Sequence, residues 1–298
     1  MPDQQRSGMA YGLMAYTLWG FFPLYFHYLG SVSSLEVLAQ RVLWSFLFVA
    51  VLIVIRQRGK AVFEAWRCAK TRKAMSLAAA LVTVNWLTFI WAVSVDRVLE
   101  SSFGYFLTPL VSVFLAAVIL KESLDKYRIL ACVLALLGVL WQLVSLQSVP
   151  WVSLVLAVSF GSYGLVRKQV STGPLVGMCI ETSILVPFAL LYLGGLLFQG
   201  QSQFLSEGSI VTVLLIGSGI LTAIPLMLFA AAAKRLSLSV VGFMMYINPT
   251  LQFLVGIYLL NEPFSTDQLI SFGFIWVALL VFSQGAWLQR RKLLLEAG

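Results

Sequence analysis

The sequence predicts an all-α membrane protein with ten transmembrane helices, built as an inverted repeat of five plus five. Three observations predict this fold. The 298 residues are 60% apolar and only 11% charged, whereas soluble domains are about 45–50% apolar and about 25% charged. The apolar residues form runs of about twenty, which is the length a helix needs to cross a bilayer. Two of these runs, one in each half of the chain, repeat one pattern of proline and glutamate.

The apolar runs favour helices over a membrane barrel. In lipid every backbone group must be satisfied internally, and barrel strands would alternate in polarity over about ten residues. The predicted spans cover residues 8–28, 36–55, 74–95, 101–120, 129–146, 150–166, 175–197, 209–233, 239–260 and 269–288. The first run is too long for the apolar core of a signal peptide and has no A-x-A-type cleavage site, so we expect it to be retained.

Basic residues are sorted to one side of these spans. With the N-terminus placed in the cytoplasm, eighteen of the twenty Lys and Arg fall on the cytoplasmic side; the exceptions are Arg97 and Arg41. This distribution follows the positive-inside rule and predicts that both termini are cytoplasmic. The net charge of +8 therefore indicates topology in a lipid bilayer, and we expect no nucleic-acid partner.

The internal repeat relates spans four and nine. One constant shift along the sequence aligns Phe103 with Phe243, Pro109 with Pro249, Leu120 with Leu260 and Glu122 with Glu262. Because five is odd, the second copy enters the membrane from the opposite face. Such inverted repeats are typical of secondary transporters, whose substrate site lies between the halves. We place the N-terminal repeat at residues 1–147 and the C-terminal repeat at 148–298, with coincidence in apolar sequence as the alternative.

Polar and aromatic side chains on several spans predict a shared cavity. The candidate substrate-binding residues are Asn85, Trp86, Trp91, Tyr105, Tyr163, Tyr246, Asn248 and Gln252. Pro109 and Pro249 each remove a helix hydrogen bond, so we expect them to bend their helices and to allow gates to close. Interhelical hydrogen bonding and plain packing are the alternatives for all of these residues.

Few ionisable groups lie within the spans. Glu181 is either a proton-coupling or cation-sensing carboxylate, or a structural partner of a neighbouring helix, for example through Arg167 or Lys168. Arg41 either pairs with Glu36 at the membrane interface or meets an anionic group of the substrate.

The inventory of reactive residues argues against an enzyme. One histidine and three cysteines, with no CxxC or HExxH, leave little material for a metal site, a cofactor or a nucleophile with its base. We expect no metal and no cofactor. Cys68 is placed in the reducing cytoplasm, and Cys132 and Cys179 fall within spans, so no disulfide is expected.

Motifs along the whole chain resemble the RarD group of the EamA-type drug/metabolite transporter (DMT) superfamily. They are WGFFPLYF at 19–26, RVLWS at 41–45, NWLTFIWAV at 85–93, ESSFGYFLTPL at 100–110, SYGLVRK at 162–168, the pair at 181–182, GFMMYINPTLQFL at 242–254 and FIWVALLVF at 274–282. The resemblance implies a ten-helix bacterial inner-membrane transporter, with a cavity lined by spans one, three, four, six, eight and nine. Met245 departs from the group, which often has Gln there.

We expect a permease or exporter that moves small metabolites, such as amino acids or drug-like compounds, by alternating access. Its partners are then a small-molecule substrate and the bilayer, with proton coupling through Glu181. The alternatives are an uncoupled facilitator, a membrane-embedded enzyme, and a scaffold or channel subunit.

Overall fold

The computed structural model of the chain describes residues 2–95, 98–146, 151–259 and 265–296. Within these ranges every regular element is an α-helix. In chain order the helices are α1 (Pro2–Gly20), α2 (Phe22–His27), α3 (Ser34–Ile55), α4 (Gly59–Arg67), α5 (Ala69–Ser94), α6 (Val98–Val118), α7 (Lys126–Leu146), α8 (Trp151–Gln169), α9 (Pro174–Phe198), α10 (Ser209–Arg235), α11 (Leu238–Met244), α12 (Ile247–Leu259) and α13 (Thr266–Glu296).

Seven stretches of the described residues are long and apolar enough to cross a membrane. They are Ser34–Ile55, Ala69–Ser94, Ser101–Val118, Lys126–Val144, Pro174–Phe198, Ser209–Arg235 and Leu238–Leu259, and a shorter apolar helix covers Leu269–Gly285. The predicted class of all-α membrane protein is therefore confirmed. The count of ten spans stays a prediction.

Two predicted spans are interrupted next to a proline. The first is broken at Phe21, after which the short helix α2 begins with Phe22 and Pro23. The ninth is broken at Met245 and Tyr246, between α11 and α12. Pro249 has no N–H to donate to the carbonyl of Met245 four residues earlier, and the N–H of Asn248 bonds that carbonyl instead at 3.0 Å.

The basic segment after α3 contains a helix that the hydropathy pattern does not predict. α4 carries Phe63 and Trp66 on its exposed surface, and the guanidinium of Arg67 lies 4.8 Å from the Phe63 ring centroid. α5 then begins at Ala69, ahead of the predicted residue 74. The predicted span was bounded by its charged residues. Lys and Arg are nevertheless good helix formers, so the helix itself extends through them.

The helices form one bundle in which helices distant in the chain pack against each other. α3 packs on α9, α7 on α13, and α6 on α8. α1 packs on α10 and on α12, and α5 packs on α8 and on α9. α10 also contacts α3, and α6 contacts both α11 and α12. The centre of the bundle is thus enclosed by α1, α5, α6, α8, α10 and α12, with α7 and α13 at one edge.

Polar contacts define the two ends of the bundle. At one end, called here the terminal face, Lys168 donates to the carbonyl of Leu236 at 2.6 Å, next to the end of α10. At the other end, the opposite face, Glu36 near the start of α3 accepts from the backbone N–H groups of Gln203 and Phe204 at 3.0 and 3.1 Å. α1 begins at the terminal face, where Gly8 lies against Arg235.

Some predicted landmarks lie outside the described residues. These are Arg97, the start of span six at Pro150, the repeat positions Leu260 and Glu262, the boundary between residues 147 and 148, and the side chains of Arg290, Arg291 and Lys292.

The carboxylate of Glu122 caps α11 and supports the terminal face. It accepts from the backbone N–H groups of Leu238 and Ser239 at 2.9 and 3.3 Å, and from the Ser239 hydroxyl at 2.9 Å. Glu122→Ala is therefore expected to lower the free energy of unfolding by about 1–2 kcal/mol, measured on the purified protein in detergent. Glu64→Ala is the control, because the Glu64 pair with Lys60 is exposed and 4.0 Å long. Equal effects of the two substitutions would contradict the capping role.

Candidate substrate-binding site

A small cavity lies at the centre of the bundle. Its volume is about 30 Å³, which leaves room for only a few water molecules. The lining residues are Trp19, Phe22, Arg41, Asn85, Trp86, Phe89, Tyr105, Phe160, Met245, Asn248 and Gln252. They come from α1, α2, α3, α5, α6, α8 and α12 and from the break in span nine, so distant parts of the chain meet here.

Five of the predicted substrate residues line this cavity, namely Asn85, Trp86, Tyr105, Asn248 and Gln252. The other three lie elsewhere. Trp91 packs on Trp151 at the opposite face, with ring centroids 5.3 Å apart. Tyr163 stacks on Phe229 at 5.8 Å, and Tyr246 belongs to a separate core cluster around Phe106 and Phe243.

Amide side chains in the cavity wall connect pairs of helices. The Asn85 Nδ2 donates to the Leu156 carbonyl at 3.0 Å and to the Ser159 hydroxyl at 3.1 Å, which joins α5 to α8. The Gln252 Nε2 donates to Asn248 Oδ1 at 2.9 Å and to the Trp19 carbonyl at 3.3 Å, which joins α12 to α1. These hydrogen bonds fix the positions of the polar atoms in a wall that is otherwise mostly aromatic.

Arg41 is a buried cation in the same wall, with 2% of its surface exposed. Its Nε donates to the Thr222 hydroxyl of α10 at 2.9 Å. Its guanidinium carbon lies 4.8 Å from the Trp86 ring centroid and 4.9 Å from that of Phe26. Aromatic faces attract a cation at these distances, so Arg41 is held inside the bundle.

The predicted pair of Arg41 with Glu36 is wrong. The Glu36 carboxylate instead accepts from the loop between α9 and α10: from the Ser202 hydroxyl at 3.0 Å and from the Gln203 and Phe204 N–H groups. These three donors of the loop satisfy the hydrogen-bonding needs of the Glu36 carboxylate at the opposite face. Arg41, one turn further into α3, is thereby left without that counter-ion.

Two layers of aromatic rings bound the cavity. The terminal layer consists of Tyr16, Trp19, Phe160, Tyr163 and Phe229, in which neighbouring centroids lie 5.2–6.3 Å apart. The opposite layer consists of Phe22, Phe26, Phe89 and Tyr105, with centroids 5.7–6.1 Å apart. Contacts at these distances are those of packed aromatic pairs. Packed aromatic rings therefore lie on both the terminal and the opposite side of the cavity.

Glu181 lies on the terminal side of the cavity and is 2% exposed. Its Oε1 is 3.2 Å from the Arg167 Nη1, and its Oε2 accepts from the Tyr163 hydroxyl at 3.3 Å. Gly177, one turn earlier in α9, lies so close to this guanidinium that a Cβ there would overlap it. The interhelical contact with Arg167 is thus formed, and the coupling role of Glu181 stays a prediction.

The two prolines predicted as bends lie in different local structures. Pro109 is inside α6, which continues from Val98 to Val118 without a break. Pro249 follows the break in span nine, three residues after Tyr246. The backbone opens beside the cavity at that break, since Met245 lines it.

A second and larger cavity opens at the terminal face. It has a volume of about 790 Å³ and is lined by Arg56, Arg58, Ser171, Thr172, Gly173 and other residues near the ends of α3, α4 and α9. None of the predicted substrate residues lines it. Among the described residues, no group of three or more His, Cys, Asp or Glu side chains could hold a metal ion.

The predicted substrate residues account for five of the eleven lining residues of this cavity. Trp19, Phe22, Phe89, Phe160 and Met245 line it without having been candidates. Arg41 lines it too, as in the alternative in which it meets the substrate. A usable signal for Arg41 was that α3 carries no other basic residue inside the span.

Comparisons with known proteins bear on what this cavity does. Residues 6–144 match the model of the EamA-like transporter family. The chain is 40% identical over 289 residues to Protein RarD of Salmonella typhimurium, covering 97% of this chain and 98% of that protein. It is 41% identical over 284 residues to an uncharacterized transporter of Vibrio cholerae, covering 95% and 94%.

Two further similarities are more distant. The chain is 33% identical over 280 residues to the chloramphenicol-sensitive protein RarD of Pseudomonas aeruginosa, covering 92% of this chain and 93% of that protein. One solved crystal structure superposes with a TM-score of 0.70 at 16% identity, covering 93% of this chain and 98% of that chain. The latter similarity concerns the fold alone.

The buried pair of Arg167 and Glu181 yields a prediction about stability. Arg167→Gln or Glu181→Gln alone is expected to lower the free energy of unfolding by about 3–5 kcal/mol, because the remaining charge is buried without its partner. The double substitution is expected to cost less than the sum of the two. Denaturant unfolding of the purified protein in micelles measures all three values, and additive effects would show that the pair is not coupled.

Proposed function

Because the chain belongs to the EamA-like transporter family, and within it to the RarD group, we propose that it is a secondary transporter that works by alternating access. Its cargo would be small metabolites, such as amino acids or drug-like compounds. It is a multi-pass membrane protein of the DMT type. We place it in the bacterial inner membrane, with both termini in the cytoplasm, because eighteen of its twenty Lys and Arg fall on one side of the predicted spans.

The observation that carries this proposal is the small central cavity. Polar side chains from helices far apart in the chain converge on it, and aromatic layers lie on both sides. At about 30 Å³ it is too small for an amino acid. A substrate would therefore enter only after helices separate on one side, which is the geometric requirement of alternating access.

The packing of the helices supports the proposed inverted repeat of five plus five. In this scheme α1 with α2 corresponds to α8, α3 to α9, α5 to α10, α6 to α11 with α12, and α7 to α13. The largest contacts then have counterparts in the other half. The contact of α1 with α10 matches that of α5 with α8, and α3 with α10 matches α5 with α9.

The same symmetry suggests how the halves move. The contacts of α3 with α9 and of α7 with α13 join corresponding helices, so they lie on the axis that relates the halves. The proposed gates are the two aromatic layers, which belong to different ends of the bundle. Pro109 and the break before Pro249 would serve as the hinges, since neither proline can donate a hydrogen bond to the preceding turn.

The predicted substrate residues take two proposed roles. Asn85, Trp86, Tyr105, Asn248 and Gln252 would contact the substrate, because they line the cavity. Trp91, Tyr163 and Tyr246 would act from outside it: Trp91 in the contact with Trp151, Tyr163 in the terminal layer, and Tyr246 beside the break in span nine.

Glu181 is the proposed coupling group. Its contact with Tyr163 joins it to the terminal layer, because Tyr163 packs on Phe160 in the cavity wall at 5.7 Å. Protonation of Glu181 would leave Arg167 without its counter-ion, and the helix pair α8–α9 would then favour a different arrangement. An uncoupled facilitator would have the same cavity, but its transport would not depend on the protonation of Glu181.

Glu181→Gln is expected to abolish the dependence of flux on an imposed pH gradient, because the glutamine cannot carry a proton in and out. A thermal-shift screen of the purified protein with amino acids, cationic drugs and chloramphenicol first identifies a ligand. Uptake of that ligand into proteoliposomes is then measured with and without the gradient. Glu122→Gln is the matched control at the terminal face and is expected to keep the dependence.

Two outcomes decide between the coupled and uncoupled transporters. Unchanged gradient dependence in Glu181→Gln would remove the coupling role from this residue. Exchange driven by substrate alone, in wild type as in the variant, would identify a facilitator. The double substitution Arg167→Gln/Glu181→Gln separates coupling from folding, because it carries no unpaired charge.

The orientation of the chain can be tested with its own cysteines. Cys68 is exposed, Cys132 is half-buried and Cys179 is buried. The hydrogen bond with Thr71 holds the pKa of the Cys68 thiol below its usual range, which favours the reactive thiolate. A membrane-impermeant maleimide is expected to label Cys68 in inverted vesicles and not in intact spheroplasts, with Cys68→Ser as the control. Labelling only in spheroplasts would reverse the proposed topology.

A further inference from the structure

Arg41 has no counter-ion within the described part of the chain. Every ion pair described there joins other residues, and Glu36 is occupied by the loop after α9. Of the five N–H donors of the guanidinium, only the one on Nε has an acceptor among the described residues, the Thr222 hydroxyl. The side chain lines the cavity, so the unused donors belong to a group that faces it.

A buried cation without an acid is costly, and proteins ordinarily pair such charges. Here three aromatic rings, those of Phe22, Phe26 and Trp86, surround the guanidinium at 4.8–5.9 Å. Cation–π contacts contribute about 0.5–2 kcal/mol, less than the several kcal/mol that desolvation of the ion costs. The arrangement keeps the charge in place but does not neutralise it.

The corresponding position in the other half of the chain carries a charged residue that does have a counter-ion. Arg41 is the eighth residue of α3, and Glu181 is the eighth residue of α9. The same shift along the sequence relates Arg41 to Glu181 and Pro109 to Pro249. Arg41 and Glu181 therefore correspond to each other in the proposed inverted repeat.

The neighbours of these two residues correspond as well. Glu181 is contacted by Tyr163 and Arg167 of α8, and Arg41 by Phe22 and Phe26 of α2. In each pair the two neighbours are one helical turn apart. Phe22 and Phe26 are separated from Tyr163 and Arg167 by one position more than Arg41 is from Glu181. In one half the charged residue meets an opposite charge. In the other half the position that corresponds to Arg167 is occupied by Phe26, so Arg41 meets no acid there.

We propose that the substrate supplies this acid: Arg41 binds a carboxylate of a small organic anion. A guanidinium presents two parallel N–H groups that match the two oxygens of a carboxylate. The rest of such a ligand would be apolar, because Trp19, Trp86, Phe89 and Phe160 form much of the remaining wall. A cationic drug is disfavoured in this cavity, because Arg41 already occupies the face of Trp86 and repels a second positive charge.

This inference rests on the proposed transport function for its biological meaning, but binding can be measured without transport. The probes are four monocarboxylates (benzoate, phenylacetate, 3-phenylpropanoate and indole-3-acetate), each with its neutral amide, and 3-phenylpropylamine as a cation. Thermal shifts of the purified full-length protein are recorded against concentration. At least one carboxylate is expected to stabilise the protein, whereas its amide and the amine are not.

Substitution of Arg41 provides the second arm. Arg41→Gln is expected to weaken carboxylate binding at least about 30-fold, since it removes one partner of a buried charge pair. Arg41→Lys is expected to keep part of the affinity because it retains the charge without the fork. Arg128→Gln, which removes an arginine paired with Asp125 outside the cavity, is expected to bind like wild type.

A matched pair of substitutions tests the missing counter-ion without any ligand. Arg41 and Arg167 are both 2% exposed. Arg167→Met is expected to destabilise the protein, because it leaves the buried Glu181 without its counter-ion. Arg41→Met is expected to leave the stability equal or higher, because it leaves no buried charge without a partner. Similar destabilisation by both would mean that Arg41 has a counter-ion in the protein and would overturn the proposal.

The remaining outcomes are distinguishable. Equal binding of amide and carboxylate, binding unaffected by Arg41→Gln, or no binding of any carboxylate would overturn the assignment. If proteoliposomes take up a neutral or cationic compound equally well in wild type and Arg41→Gln, transport stands and the anion site fails. If carboxylates bind through Arg41 but no flux is measured for any of them, the site stands and the transport proposal fails.

Discussion

Inside a bilayer neither a backbone amide nor a charged side chain has water to bind, and the whole architecture follows from that constraint. Backbone groups are satisfied within helices, and the few acids are satisfied by other parts of the chain. Glu122 holds the start of α11, Glu36 holds the loop before α10, and Glu181 holds Arg167. Each acid thereby joins segments that are distant in sequence. Among the buried charged residues that the structure describes, Arg41 has no such partner, and it faces the central cavity.

The class of fold was predictable because bilayer thickness imposes a single length on apolar runs. Five cavity residues, Asn85, Trp86, Tyr105, Asn248 and Gln252, were predictable for a related reason: polar atoms on an apolar helix must turn inward. For Arg41 the sequence left two roles open. Near the end of a span an arginine can extend to the interface or turn into the bundle. The choice depends on the rotation of α3 and on a loop in the other half of the chain that occupies Glu36.

Hydropathy also fails at helix ends and breaks, because it measures side chains and not backbone hydrogen bonds. It stops a span at the first charge, although α5 continues through Lys70, Arg72 and Lys73. It passes over the breaks at Phe21 and Met245, although the prolines that accompany them are visible in the sequence. Tyr163 and Tyr246 illustrate the same limit. Their polarity indicated an inward orientation, but the interior of this bundle has an aromatic core as well as a cavity.

The pair of aromatic layers also has an electrical consequence. A hydrogen-bonded file of water that crossed the bilayer would conduct protons, and the cell would lose the gradient that drives its metabolism. A chamber of about 30 Å³ between two layers of packed rings has room for only a few water molecules. As long as both layers stay packed, such a file of water would be interrupted at the cavity. A carrier built in this way would leave the proton gradient intact between transport cycles.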